Sequence, residues 1–98
     1  MSPLKLVTII AADSLKNHIV KDIQSLGAKG YTVSYVEGKG EKELRNSAWE
    51  GENVKIISIV SAEVCDKILA HLEKTYFEKY PMIAFSTDVM VVRSNHFL

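Results

Sequence analysis

Between Glu37 and Asn53 the chain carries Gly38-Lys39-Gly40, then Lys42, Arg45 and its single tryptophan, Trp49. Glycines at 38 and 40 let backbone N–H groups come close to an anion, and Lys39, Lys42 and Arg45 bring the charge that a phosphate would need. The spacing is not that of a P-loop, and the terminal Lys-Ser/Thr is missing. The glycines also follow a strand, where a dinucleotide fingerprint would open a helix. A competing reading is that they only turn the chain while Lys–Glu alternation solvates the loop. Trp49, in so polar a stretch, is either a partner-contact residue or an indole folded back onto the sheet.

Other chemistry is sparse. No His, Cys or Ser sits in a nucleophile motif, and neither HExxH nor CxxC occurs. Glu41, Glu43, Glu50 and Glu52 read as solvated charges, so catalysis is not expected. His18 and Asp22 stand one helical turn apart, while His71 and His96 read as surface residues; no metal site is predicted. The lone Cys65 lies in an apolar helical pattern and is expected in the core, and its lack of a partner fits a reducing cytoplasm. Twelve basic and twelve acidic residues cancel, which excludes the basic footprint of a general nucleic-acid binder and requires any anion to be held locally. The opening MSPLKLVTII turns polar by Asp13, too soon for a secretion signal or a membrane span.

The elements that must position these residues are legible from periodicity. Leu4 to Ala12 is a β-branched apolar run suited to a central strand. Asp13 and Ser14 offer cap oxygens to a helix whose apolar stripe is Leu15, Ile19, Ile23 and Leu26, and Gly27 supplies its left-handed stop. Tyr31, Val33 and Tyr35 alternate with Thr32, Ser34 and Val36 as a strand does. Val54 to Val60 is a third strand. Ser61 caps a second helix carrying Val64, Ile68, Leu72 and Tyr76, Pro81 closes that segment, and Met82 to Val92 is the last strand. The excursion between the second and third strands exceeds the roughly 4 to 6 residues usual for a connection, which marks it as functional or mobile rather than structural filler.

The order β-α-β-β-α-β in a 98-residue chain predicts one α+β domain, residues 1–98. Its fold would be ferredoxin-like, a four-stranded antiparallel sheet with both helices on one face. The first and third strands are apolar on both sides, so the uncovered face needs a partner, and a second copy of the chain is the simplest supply.

GAKGYT, then GKG with Arg45, then Trp49 and Asn53-Val54-Lys55-Ile56, and finally YFEKYPMIAFSTDVMVVRSNHF, together resemble the PII-like signalling proteins over nearly the whole chain. The similarity is greatest to the carboxysome- and bicarbonate-transporter-associated branch. It implies a cytoplasmic homotrimer that binds an adenine nucleotide (AMP, cyclic AMP, ADP or ATP) in clefts between subunits. It also implies that the long T-loop between the second and third strands changes with the ligand and docks on a partner, often a membrane transporter. Gly38, Lys39 and Gly40 match the glycine turn at the loop base, Arg45 matches a phosphate-contacting arginine, and Tyr31 and Thr32 match positions at the adenine cleft. Tyr76, Phe77 and Tyr80 match neighbours of that cleft, or else belong to the core and trimer contacts.

The family pattern Gly-Ser-Arg-x-x-Arg is here Gly40-Glu41-Lys42-Glu43-Leu44-Arg45. Lys42 gives a point charge where an arginine would grip phosphate with two parallel hydrogen bonds, and Glu41 and Glu43 add repulsion that favours fewer phosphates. The uridylylated tyrosine of many nitrogen-regulatory relatives has no counterpart between Glu37 and Asn53. The alternatives are a bicarbonate- or metal-responsive sensor on the same trimer, using His18, His71 or His96, and a small catalyst on the same fold.

Overall fold

The computed structural model describes residues 2–38 and 52–97. In chain order these form β1 (Ser2–Ala12), α1 (Lys16–Ser25), β2 (Thr32–Val36), β3 (Asn53–Val60), α2 (Ala62–Thr75) and β4 (Ile83–Val91). Single 3-10 turns lie at Asp13–Leu15 and Ser94–Phe97. The strands stand in the order β2-β3-β1-β4 and every neighbouring pair is antiparallel. This is the expected ferredoxin-like sheet.

Side-chain alternation sorts the sheet into two faces. Val7, Ile9 and Ala11 of β1, with Val54, Ile56 and Val60 of β3, form the floor of the core. Ile19 and Ile23 of α1 and Cys65, Ile68 and Leu72 of α2 close over it. All of these are nearly inaccessible to solvent, and Cys65 is a core residue as expected.

Each helix is delimited by local chemistry. The N–H of Ala28 donates to the Ile23 carbonyl at 2.9 Å and that of Gly27 to Gln24 at 3.2 Å. Together these bonds make a Schellman stop with Gly27 at φ 122°. A side chain there would suffer twice, because a Cβ on Gly27 would lie 2.9 Å from Val64 Cγ2 on α2. Ser61 caps α2 by accepting the N–H of Val64 at 3.2 Å.

Two expectations need correction. Asp13 and Ser14 do not cap α1: they lie inside the 3-10 turn, and the helix starts after Leu15 with no side-chain cap. The Asp13 N–H instead donates to the Glu52 carbonyl at 2.9 Å, tying the end of β1 to the start of β3. Nor does α2 run to the proline. Tyr76 takes its C-cap, and the Tyr76 carbonyl accepts the N–H groups of Lys79 at 3.0 Å and Tyr80 at 2.9 Å, so the chain has turned before Pro81.

The other face of the sheet has no helix. Pairing puts Thr32, Ile57, Thr8 and Phe85 in one row across it, with Ile59, Leu6 and Thr87 in the next. Phe85 and Ile83 stay 46% and 45% exposed on this face, enough apolar surface to call for a covering partner.

Candidate functional site

Gly38 follows the end of β2, where the long loop begins. With Ile10, Val36, Glu37, Asn53, Lys55 and Ile83 it lines a cavity of about 330 Å³ on the open face of the sheet. Lys39, Gly40, Lys42, Arg45 and Trp49 lie outside the described residues. Lys55 is a cation that sequence reasoning passed over. Register pairs it with Ile10, so its side chain shares the open face and reaches the loop base. The available signal was that it is the one charged residue in the strand run VKIISIV.

A second cavity, of about 150 Å³, lies at the other end of β2. Tyr31, Thr32, Ile57 and Ile59 line it together with Gly30 and the half-buried Phe97. The Ser58 hydroxyl, also at this cavity, donates to the Gly30 carbonyl at 2.6 Å and holds the approach to β2 against β3. Tyr31 also borders α1, in a pocket with Lys16, Val33 and Tyr35. There Lys16 Nζ sits 5.7 Å from the Tyr35 ring centroid and 3.3 Å from its hydroxyl. The helix-side face of β2 is thus covered only at Val33, while Tyr31 and Tyr35 are 43% and 58% exposed at the sheet edge.

Of the predicted site residues that the structure describes, Tyr31 and Thr32 therefore lie at one end of β2 and Gly38 just past the other. At about 3.3 Å per residue, Thr32 and Gly38 are roughly 20 Å apart.

The family model for nitrogen regulatory protein P-II matches residues 4–96. The chain belongs to the P-II family. Solved relatives share its architecture end to end. A PII-like signalling protein of Thermus thermophilus is 42% identical, with a TM-score of 0.85 over 98% of this chain and 96% of that one. The nitrogen regulatory PII-like protein CPII of Thiomonas intermedia, in a structure with ADP, AMP and acetate, is 28% identical. It superposes with a TM-score of 0.86 over 97% of this chain and 94% of its own. A further CPII structure, with ADP and bicarbonate, is 26% identical with a TM-score of 0.85, covering 99% and 96% of the two chains.

One cluster in this P-II chain joins the two helices. Asp22 of α1 accepts from Tyr76 OH at 2.5 Å and pairs with His71 Nε2 at 2.9 Å, both through Oδ2. His71 is therefore an interhelical residue and not simply a surface one. Asp22, read with His18 as part of a solvated helix face, is instead turned toward α2. Among the described residues no three of His, Cys, Asp and Glu gather as a metal would require. Tyr76 belongs to the core, whereas Phe77 and Tyr80 stay 43% and 39% exposed, with the Tyr80 ring centroid 6.2 Å from that of Tyr76.

Burial pushes the Tyr76 phenol upward, and its hydrogen bond to the Asp22 carboxylate and that group's charge add to the shift. For Asp22 burial acts to raise the pKa. The hydrogen bonds from Tyr76 and His71 and the charges of His71 and His18 outweigh it and hold the carboxyl below its ordinary 3.8. A carboxylate whose folded value is depressed stabilises the protein above the unfolded value and loses that contribution as pH falls through the folded one. Asp22→Asn is thus expected to lower stability at pH 7 by about 1 kcal/mol, with the gap from the parent closing at a pH below the ordinary 3.8, where the depressed carboxyl protonates. Urea melts at the two pH values measure this, and a gap independent of pH would rule out the ionic part of the tie.

Among the described residues no helix is long and apolar enough to cross a membrane.

Proposed function

We propose that residues 1–98 act as one PII-like domain, a cytoplasmic homotrimeric signalling subunit. Its ligand is an adenine nucleotide held between subunits, and its output is the loop between β2 and β3. The observation that carries this reading is end-to-end similarity to CPII, whose structures hold ADP and AMP. The apolar open face supports self-association. The separation of Tyr31 and Thr32 from Gly38 along β2 supports a ligand site completed by a second copy.

In this reading Tyr31 and Thr32 of one subunit flank the base. Gly38, Lys39 and Gly40 of the next bring backbone N–H groups to the phosphate, with Lys42 and Arg45 supplying charge. Phosphate bound at the loop base favours whichever loop arrangement gathers those cations, and only that differential affinity changes what is offered to a partner. Trp49 is the proposed partner contact, and a transporter such as one for bicarbonate is the proposed partner, which would bring the subunit to a membrane. Glu41 and Glu43 favour AMP or cyclic AMP over ATP.

Calorimetric titration with AMP, cyclic AMP, ADP and ATP tests the reading, and saturable binding near one ligand per subunit of a trimer is the expected result. Arg45→Ala should weaken the tightest ligand about tenfold, the loss of one charge-assisted phosphate contact, and leave the trimer intact. Unchanged affinity would remove Arg45 from the phosphate site.

A second reading draws on the CPII structure with ADP and bicarbonate. Bicarbonate would bind as a ligand in its own right, with Lys55 at the loop-base cavity as the candidate cation. Titration with bicarbonate, alone and after nucleotide, separates the two readings.

A further inference from the structure

The chain's own C-terminal turn reaches the cavity at Tyr31 and Thr32. After β4 the backbone passes through Arg93 in the left-handed region, φ 63°, a conformation that a side chain disfavours. The His96 N–H then donates to the Arg93 carbonyl at 3.0 Å, closing the turn. The turn sends Phe97 away from β4, at one edge of the sheet, to the cavity beside β2 and β3 at the other. Ile57, Ile59 and Thr32 line the same cavity, and Tyr31 is the only other ring there among the described residues. A non-glycine residue held at positive φ persists where its surroundings require it, and what the turn achieves is the placement of that ring.

We propose that Phe97 is the stacking wall of the base subsite, its ring lying on one side of the purine with the β3 isoleucines on the other. This rests on the nucleotide reading given above and adds a residue that no loop motif points to. Every base offers a π-face, so such a wall strengthens binding without choosing among bases, and the phosphate end is left to set the ligand's preference. It also links ligand to tail, because a bound base favours the closed turn at 93–97.

The test is calorimetry with AMP and ADP on the parent protein, Phe97→Leu and Phe97→Tyr, each sized in the same buffer. Leucine keeps apolar volume and removes the ring, so Phe97→Leu should weaken both nucleotides about tenfold, while Phe97→Tyr stays within about twofold of the parent. Equal or tighter binding by Phe97→Leu would overturn the proposal, tighter binding meaning that the ring occupies the place of the base. A changed oligomeric mass in Phe97→Leu would also overturn it, by making the ring an interface residue. Failure of the parent to bind either nucleotide would defeat the nucleotide reading itself and this proposal with it.

Discussion

Phe85→Lys is expected to leave the chain folded but unable to self-associate. Phe85 is 46% exposed on the helix-free face, in one row with Thr8, Ile57 and Thr32. Thr8 in the middle of that row is only 4% exposed, although no helix covers this side, so its neighbours already shield it. In a lone subunit an ammonium at position 85 reaches water freely and costs little. Against a second copy it must be desolvated with no partner, a penalty of several kcal/mol per contact, or more than about a hundredfold in affinity. Sedimentation should find a monomer with unchanged far-ultraviolet circular dichroism. If the nucleotide lies between subunits, its binding should vanish in the same sample. Persistence of the parent's oligomeric state would mean that this face is not the one covered. A monomer that still binds nucleotide at parent affinity would place the whole ligand site within one chain.

Ile68→Ala should cost about 2–5 kcal/mol of folding stability. Ile68 is fully buried, midway along α2, in the cluster that joins both helices to β1 and β3. Truncation removes most of an apolar side chain, and the close-packed cluster around it can collapse only partly into the space left. A domain of this size has roughly 5–15 kcal/mol in total, so the change consumes a large share of its stability. Urea unfolding at fixed protomer concentration should show a lower midpoint at unchanged slope. A loss under about 1 kcal/mol would contradict the tight core described here.

Element order, the stop at Gly27, the cap at Ser61, the burial of Cys65 and the apolar character of both faces of β1 and β3 were all legible along the chain. Each is a short-range consequence of burial or backbone geometry, so period-two and period-3.6 patterns carry it directly. Of the candidate site, the position of Gly38 just past β2 was legible for a similar reason, since the strand's alternation ends there, whereas Lys39, Gly40, Lys42, Arg45 and Trp49 lie outside the described residues.

Which faces meet is a matter of tertiary structure. The Asp22 contacts with His71 and Tyr76 span 49 and 54 residues, and no local pattern distinguishes those partners from a solvated His18–Asp22 face. Asp13 has the residue type of a cap, yet its N–H goes to the Glu52 carbonyl, a partner supplied just before β3. Lys55 became a loop-base cation through its register with Ile10, and Phe97 came beside Tyr31 because a left-handed Arg93 turns the tail across the sheet. Periodicity tells which residues share a side of an element. Register, turns and the packing of helix on sheet tell what that side touches, and these depend on the whole chain closing around one core.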